Sequence, residues 1–447
     1  MPATRWRPPI VDYAIIADLK WRALLLLFEA AHAEQDSARW RDFEQFRARG
    51  GETLRCGCLF LALRQHFGHP RMGRADWCSW PDEYRNPDSP AVARFAAEHQ
   101  RDLTLHAWMQ FAADAQLAAA ATEAAGMAVG LYRDLAVGAD PMGAEAWSNQ
   151  PAIAAAVSVG APPDIYNPTG QDWGLPPFNP RSLCSSAYRS FIDLLRANMR
   201  HAGGLRIDHV MALRQLFWVP HGRAPKEGAY VRYPLEDLVG ILALESRRHR
   251  CVIVGEDLGT VPAGFRERMA AANILSYRAL FFERGEAGFI PPEQYPAAAL
   301  AVAGSHDLPT VRAWWEGSDL RLKERLGLYP GVDDARRASA ERRRDRTDLM
   351  RAFLRDGLNA DAGMDPDEFA ATVHRFLART SSCIVMAQID DITRETAPVN
   401  VPTTSREYPN WRRRLSLTIE EIARHPYLPA LADVFRREGR GRVRPGR

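Results

Sequence analysis

Apolar positions recur at helical spacing over most of the first 125 residues: from Val11 to Ala31, from Leu54 to Phe67 and from Ala91 to Ala125. The last stretch is Ala-rich, free of proline and closed by Gly126, which predicts a long helix with a glycine stop. Beyond Gly126 the pattern changes to short apolar runs alternating with helical segments. The runs are MAVGLYRD, GGLRID, CVIVGED, YRALFFE, AVAGSHD and, much later, SCIVMAQ at Cys383; helices are predicted over about 185–200, over about 235–248, after Pro262 and from Pro309. Strand and helix alternating in this way is the pattern of a parallel sheet.

The fold class predicted is α/β, a (β/α)8 TIM barrel with large helical insertions. Residues 1–125 read as a helical subdomain inserted in the barrel, and residues 126–447 as the catalytic barrel with a helical insertion at about 319–379. About six barrel strands can be found, counting a weak one in QLFWVP at 215–220, whereas closure needs eight. The expectation is a barrel missing its first strand. Between the first two runs lies VSVGAPPDIYNPTGQDWGLPPFNP, carrying Tyr166, Trp173 and Phe178. Its density of turn formers predicts an irregular loop, and a long ordered loop in a compact domain is commonly functional, here as a substrate lid.

Three acids stand just past apolar runs: Asp208 in GGLRIDH, Glu256 in CVIVGEDLG and Asp307 in AVAGSHDLP. Carboxylates at strand ends meet at the rim where barrel enzymes place their chemistry, and several on one rim point to glycosidic-bond chemistry. Strand alternation puts Arg206 on the face of Asp208, where a guanidinium favours the anionic carboxylate that a nucleophile needs. Glu256 shares its face with Val252 and Val254, an apolar floor that favours the protonated form needed by a donor to a leaving sugar oxygen. Carboxyls about 5 Å apart would retain anomeric configuration and wider ones would invert it; retention is the expectation.

Each residue has a plainer reading. Asp307 could cap a helix entered at Pro309, and Asp208 with Arg206 could be a structural ion pair. His209 and His306 could be core histidines, although each adjoins an acid, which favours contacts to sugar hydroxyls. Asp134 in GLYRDLAVG could turn the chain or support the site, and Trp173 and Tyr166 could anchor a loop or stack on sugar rings.

An apolar fraction of 46% and a charged fraction of 25% exclude a disordered or membrane-spanning class. The net charge of +3 is concentrated in RRHR at 247–250, ERRRDR at 341–346 and the C-terminal tail. These read as solvated helix faces, and without interleaved aromatics they argue against nucleic-acid binding. The six cysteines, Cys56, Cys58, Cys78, Cys184, Cys251 and Cys383, have no metal-ligand spacing and read as reduced thiols. Charged residues interrupt the N-terminal apolar positions, and the run at 23–28 is too short to span a bilayer, so a cytoplasmic protein is expected.

The ordered series GLYRDLAVG, VGAPPD, GQDWGLPPFNP, LLRANM, LRIDHVM, LALESRRHRCVIVGEDLGTVP, SHDLPTVR, LGLYP, APVNVP and PNWRRRL resembles the amylomaltases, the 4-α-glucanotransferases also called disproportionating enzymes, and bacterial maltodextrin-metabolising members in particular. The resemblance implies an α-amylase-related barrel with Asp208 as nucleophile, Glu256 as general acid/base and Asp307 as transition-state stabiliser. It implies that Arg206 orients Asp208, that His209 and His306 contact the donor sugar, and that Asp134, Trp173 and Asp257 belong to the substrate-binding set. It also implies transfer of α-1,4-glucan segments between maltodextrins without metal or organic cofactor; the partners are then glucan donors and acceptors, with no nucleic acid and no membrane. The alternatives are an α-glucan hydrolase using the same acids and a truncated, non-catalytic glucan-binding protein. Two departures stand out. Thr403 in NVPTTS occupies the glycine position of an NxPGT pattern, and no opening strand with a Tyr- and Ser-rich loop is found before Pro9.

Overall fold

The computed structural model describes residues 10–68, 76–163 and 169–441. The chain divides into two compact units, one of Asp18–Asn273 and the other of Met1–Ala17 with Ile274–Arg447.

The predicted N-terminal helices are present as Tyr13–Ala33, Ala38–Phe67, Pro90–Glu98 and Gln100–Glu123. Ser37 caps the second, its hydroxyl accepting from the Trp40 N–H at 3.1 Å, and Gly51 kinks it with φ 51°. Within the Asp18–Asn273 unit the apolar faces meet in two aromatic clusters. Phe28, Trp40, Phe43 and Trp108 form one; Phe60, Trp80, Phe95 and Trp147 form the other. Aromatic side chains bury more area per residue than aliphatic ones, which lets a few helices make a core.

Past Gly126 the same unit carries three parallel strands, Tyr132–Leu135, Gly204–Ile207 and Val252–Gly255, with Gly204–Ile207 in the middle. Helices Arg189–Met199 and Leu235–His249 make the crossovers, joined by the Arg196 guanidinium on the buried Glu245 carboxylate at 3.0 Å. All four residues of the middle strand are buried, as expected for a parallel strand covered on both faces. The other unit holds a second parallel set, Leu275–Ala279, Ala299–Val302 and Ile384–Met386, again with the middle strand fully buried. Between its last two strands come helices Val311–Glu316, Ser318–Arg325, Val332–Arg355 and Pro366–Ala378, burying Trp314, Trp315, Phe353, Phe369 and Phe376. Helix crossovers between parallel strands in both units make the fold α/β, as the alternation predicted.

Two expectations are corrected. QLFWVP is a strand, Gln215–Pro220, but it pairs antiparallel with Val157–Ala161 and with Ala229–Arg232. Only seven residues separate it from Ile207, too few for the crossover of a dozen or so that a parallel return needs. The segment predicted as irregular loop contains strands Val157–Ala161 and Gln171–Leu175, an inner strand and the adjoining edge strand of that four-stranded sheet. Turn formers permit this because Gly160 sits at a bulge where a Cβ would lie 2.1 Å from the Gln171 carbonyl oxygen; only glycine admits that approach. Tyr166 lies outside the described residues. Among the described residues no strand precedes Tyr132, no helix is long and apolar enough to cross a membrane, and the six cysteines are free.

Candidate active site

In the Asp18–Asn273 unit, Asp208 and Glu256 each follow the last residue of a parallel strand. Register places Asp134 beside Arg206 across the first strand pair. Arg206, 7% exposed, donates through Nη1 to both Asp134 oxygens at 2.7 and 2.9 Å, and its Nη2 lies 2.7 Å from Asp208 Oδ1. Burial alone would lower the guanidinium pKa; the Asp208 and Asp134 charges outweigh it and hold the group above its ordinary value. One cation therefore clamps two carboxylates: strand alternation predicted its neighbour Asp208, and cross-strand register adds Asp134.

The chain then turns at His209, which takes a left-handed φ of 46°. That turn aims its backbone N–H at Glu256 Oε2, 3.0 Å away, while the Leu258 N–H reaches Oε1 at 2.6 Å. Glu256 is 8% exposed. Burial pushes its carboxyl above the usual range and the Asp208 charge adds to this; the two N–H donors and Arg206 pull the other way without cancelling it. The floor predicted from two valines is half there: Val254 is buried, but Val252 is exposed because it opens the strand at its far end. The Trp173 ring stands perpendicular to that of His209 with centroids 5.4 Å apart, and its Nε1 donates to Gln171 Oε1 at 2.8 Å. Burial lowers the His209 pKa against the pull of Asp208, which favours the neutral ring, a form with one donor and one acceptor. The buried Asp257 carboxylate takes the Arg266 Nε at 2.7 Å, and Arg266 also donates to its carbonyl at 3.0 Å.

In the other unit the strand in AVAGSHD ends at Val302, and Asp307 lies in the turn that follows. Asn400 Nδ2 donates to Asp307 Oδ1 at 2.6 Å, His306 Nε2 is 3.1 Å from Oδ2, and the Asp307 N–H bonds Ser305 Oγ at 3.2 Å. The helix beyond is capped by Thr310, whose Oγ1 accepts from the Ala313 N–H at 3.1 Å; Asp307 is therefore not its cap. Thr310 is in turn anchored to the Glu395 carbonyl at 2.6 Å. The Val311 N–H reaches Asp391 Oδ1 at 3.3 Å, and Asp391 Oδ2 meets His374 Nε2 at 2.9 Å with both side chains fully buried.

Two residues here were not picked out from sequence. Asn400 is held in a loop knitted by Asn410, which accepts from the Val401 N–H and donates to the Thr404 carbonyl, both at 2.9 Å. Trp411, half exposed and left-handed at φ 60°, has its ring 5.2 Å from His306 and its carbonyl bonded by the Tyr13 hydroxyl. Both sit inside APVNVP and PNWRRRL, and those motifs were the available signal. Thr403 in the same loop has φ 71°, the left-handed conformation that explains why a glycine is expected there.

Comparison with known proteins gives a consistent result. The family described as 4-alpha-glucanotransferase matches residues 3–418. The 4-alpha-glucanotransferase of Mycobacterium tuberculosis is 38% identical over 435 residues, 94% of this chain and 59% of the relative. That of Haemophilus influenzae is 35% identical over 421 residues, 91% of this chain and 60% of the relative. The crystal structure of amylomaltase from Corynebacterium glutamicum superposes with a TM-score of 0.83 at 31% identity, covering 95% of this chain and 60% of that one. Amylomaltase from Streptococcus agalactiae in complex with acarbose shares the fold at a TM-score of 0.76 and 18% identity, covering 96% and 81%. The chain thus spans about three-fifths of the length of the curated relatives it matches.

Proposed function

We propose, from the premise that this chain belongs to the 4-alpha-glucanotransferase family, that it moves α-1,4-glucan segments between maltodextrins with retention of configuration. One observation supports this above the rest: a buried carboxyl with raised proton affinity, Glu256, is hydrogen-bonded by the residue that follows a guanidinium-clamped carboxylate, Asp208. Two carboxyls whose environments differ in this way divide into an acid and a nucleophile.

Asp208 attacks the anomeric carbon as its carboxylate, and Glu256 passes its proton to the departing glycosidic oxygen. The bond to the leaving glucan breaks as the ester bond to Asp208 forms. Glu256, now anionic, takes the proton of the acceptor's 4-hydroxyl as that oxygen displaces Asp208. Arg206 keeps Asp208 in place with Asp134 as its second anchor. The resemblance makes Asp307, oriented by Asn400, the transition-state stabiliser and His209 and His306 sugar-contacting residues, and Trp173 offers a ring for stacking. Asp257, held by Arg266, belongs to the substrate-binding set that the resemblance implies. No step calls for a metal or organic cofactor. The helices before residue 126 belong to this reading as an insertion in the barrel, and the setting is the cytoplasm.

Incubation with maltotriose tests the proposal. Glucose together with maltodextrins longer than the substrate is the expected product set, and Asp208→Asn abolishes it while preserving the thermal melting profile. Glucose and maltose without lengthening would identify a hydrolase instead, and glucan binding without turnover a binding protein.

A further inference from the structure

The run ERRRDR reads from sequence as a solvated helix face, but part of it lines a cavity. Helices Ser318–Arg325 and Val332–Arg355 enclose about 230 Å³ lined by Arg321, Glu324, Tyr329, Arg342, Arg343 and Arg346, with Trp315 at one wall. Ser339, Arg342, Arg343 and Arg346 reach it together because three- and four-residue spacings share one helix face.

The charge in this cavity does not balance. Asp319 is taken by Arg342 through two bonds of 2.8 Å, and Glu316 is engaged by Arg312 at 3.4 Å. Asp345, which lies within the basic run, is directed to Arg284 at 2.9 Å. Among the described residues, Arg321 donates to the Glu316 carbonyl at 3.0 Å and has no carboxylate partner. Arg346 lies 3.8 Å over the Trp315 ring, and its hydrogen bond is a long one, 3.5 Å to the Ala362 carbonyl; burial and the neighbouring Arg342 charge lower its pKa. Arg343 has no carboxylate partner among the described residues. Among the described residues lining the cavity, three guanidinium groups thus share two carboxylates, Glu324 and the Glu316 already engaged by Arg312. The Tyr329 hydroxyl is also buried there without a hydrogen-bond partner among the described residues.

We propose that this cavity is a binding site for a phosphate group, free or carried as a monoester. A phosphate group carries about −2 charge at pH 7 and accepts through three oxygens, which matches a surplus of two positive charges and a set of planar guanidinium donors better than one carboxylate would. Guanidinium forks and an unpaired phenol supply donors on several sides, and the volume is roughly that of seven or eight liquid waters. That admits inorganic phosphate or a small sugar phosphate. The inference does not rest on the assignment of glucan transfer.

Isothermal titration calorimetry on the whole chain, at constant ionic strength, decides it. Inorganic phosphate or glucose 1-phosphate gives saturable 1:1 binding; sodium chloride and glucose give none at this site. Equal affinities for the two phosphates identify free phosphate as the ligand, and tighter binding of glucose 1-phosphate identifies the ester. Arg343→Gln, which removes no partner, keeps the melting temperature and weakens binding about tenfold, the loss expected for one charged donor; Arg343→Gln with Arg346→Gln removes it. No saturable heat from either phosphate, or heat unchanged in Arg343→Gln and in the double variant, overturns the proposal.

Discussion

The backbone N–H of His209, the residue directly after Asp208, donates to Glu256 Oε2 at 3.0 Å. The two acids are therefore linked through one left-handed residue, and a shift of the Asp208 turn is felt by the proton donor. A carboxyl so placed is both satisfied and strained, since its N–H donors favour the anion while burial and Asp208 disfavour it.

Because the folded-state pKa of Glu256 lies above its unfolded value, the folded protein binds the proton more tightly. Stability from this group is present below the ordinary glutamate pKa and is lost as pH rises through the raised folded value. Glu256→Gln, which cannot ionise, should consequently melt higher than the unmodified protein at pH 7, with a difference that shrinks as pH falls through the raised folded value and is gone below the ordinary glutamate pKa. Thermal melts across pH 4 to 8 measure it, and glucan transfer should be abolished in the same variant. A melting difference independent of pH would remove Glu256 as a buried acid.

Asn400 holds Asp307 by a 2.6 Å bond from its side-chain amide. A hydrogen bond to a charged acceptor is worth about 1.5–3 kcal/mol, so Asn400→Ala is expected to lower kcat by roughly 10- to 100-fold. The melting temperature should stay close to that of the unmodified protein because the loop is knitted independently by Asn410. Steady-state kinetics with maltotriose check it; a rise in KM at constant kcat would show that Asn400 acts on binding alone.

Thr403 takes a φ of 71°, which costs a side-chain-bearing residue about 1–2 kcal/mol. Thr403→Gly relieves that strain and repays part of it in chain entropy, leaving a net gain of about 0.5–1 kcal/mol. Thr403→Ala retains a Cβ and should gain little. Denaturant unfolding of the two variants separates the conformational effect from the loss of the hydroxyl.

These particulars show what could be read from sequence. Arg206 and Asp208 share a strand face two residues apart, and a period of two is enough to put them in contact. The parallel strands were legible for the same reason, because buried runs separated by helices admit few other arrangements. Gln215–Pro220 was misassigned because an apolar run does not carry its own direction; the short link from Ile207 decides it. Asn400 and Trp411 were missed because their roles come from a loop brought to His306 and Asp307 across about ninety or more residues of chain, a pairing that no local pattern encodes. Thr403 stood out only against the resemblance, and its left-handed backbone supplies the physical reason.

Behind the Asp307 turn lies the pair His374 and Asp391, 2.9 Å apart with side chains fully buried. Asp391 also accepts the Val311 N–H, so it joins the helix Pro366–Ala378 to the start of the helix that follows Asp307. Replacing one partner leaves a buried polar group without its hydrogen-bond partner, and that costs about 1–3 kcal/mol, whereas replacing both by apolar groups of similar shape can be nearly neutral. His374→Leu should therefore lower stability by that amount, and His374→Leu combined with Asp391→Leu should recover much of the loss, short of the one bond to Val311. The double variant also tests the turn itself: with stability restored but the Val311 anchor gone, kcat should fall while KM for maltotriose changes little. Unfolding curves and kinetics on the same preparations distinguish this from plain packing, in which case the double variant would recover activity together with stability.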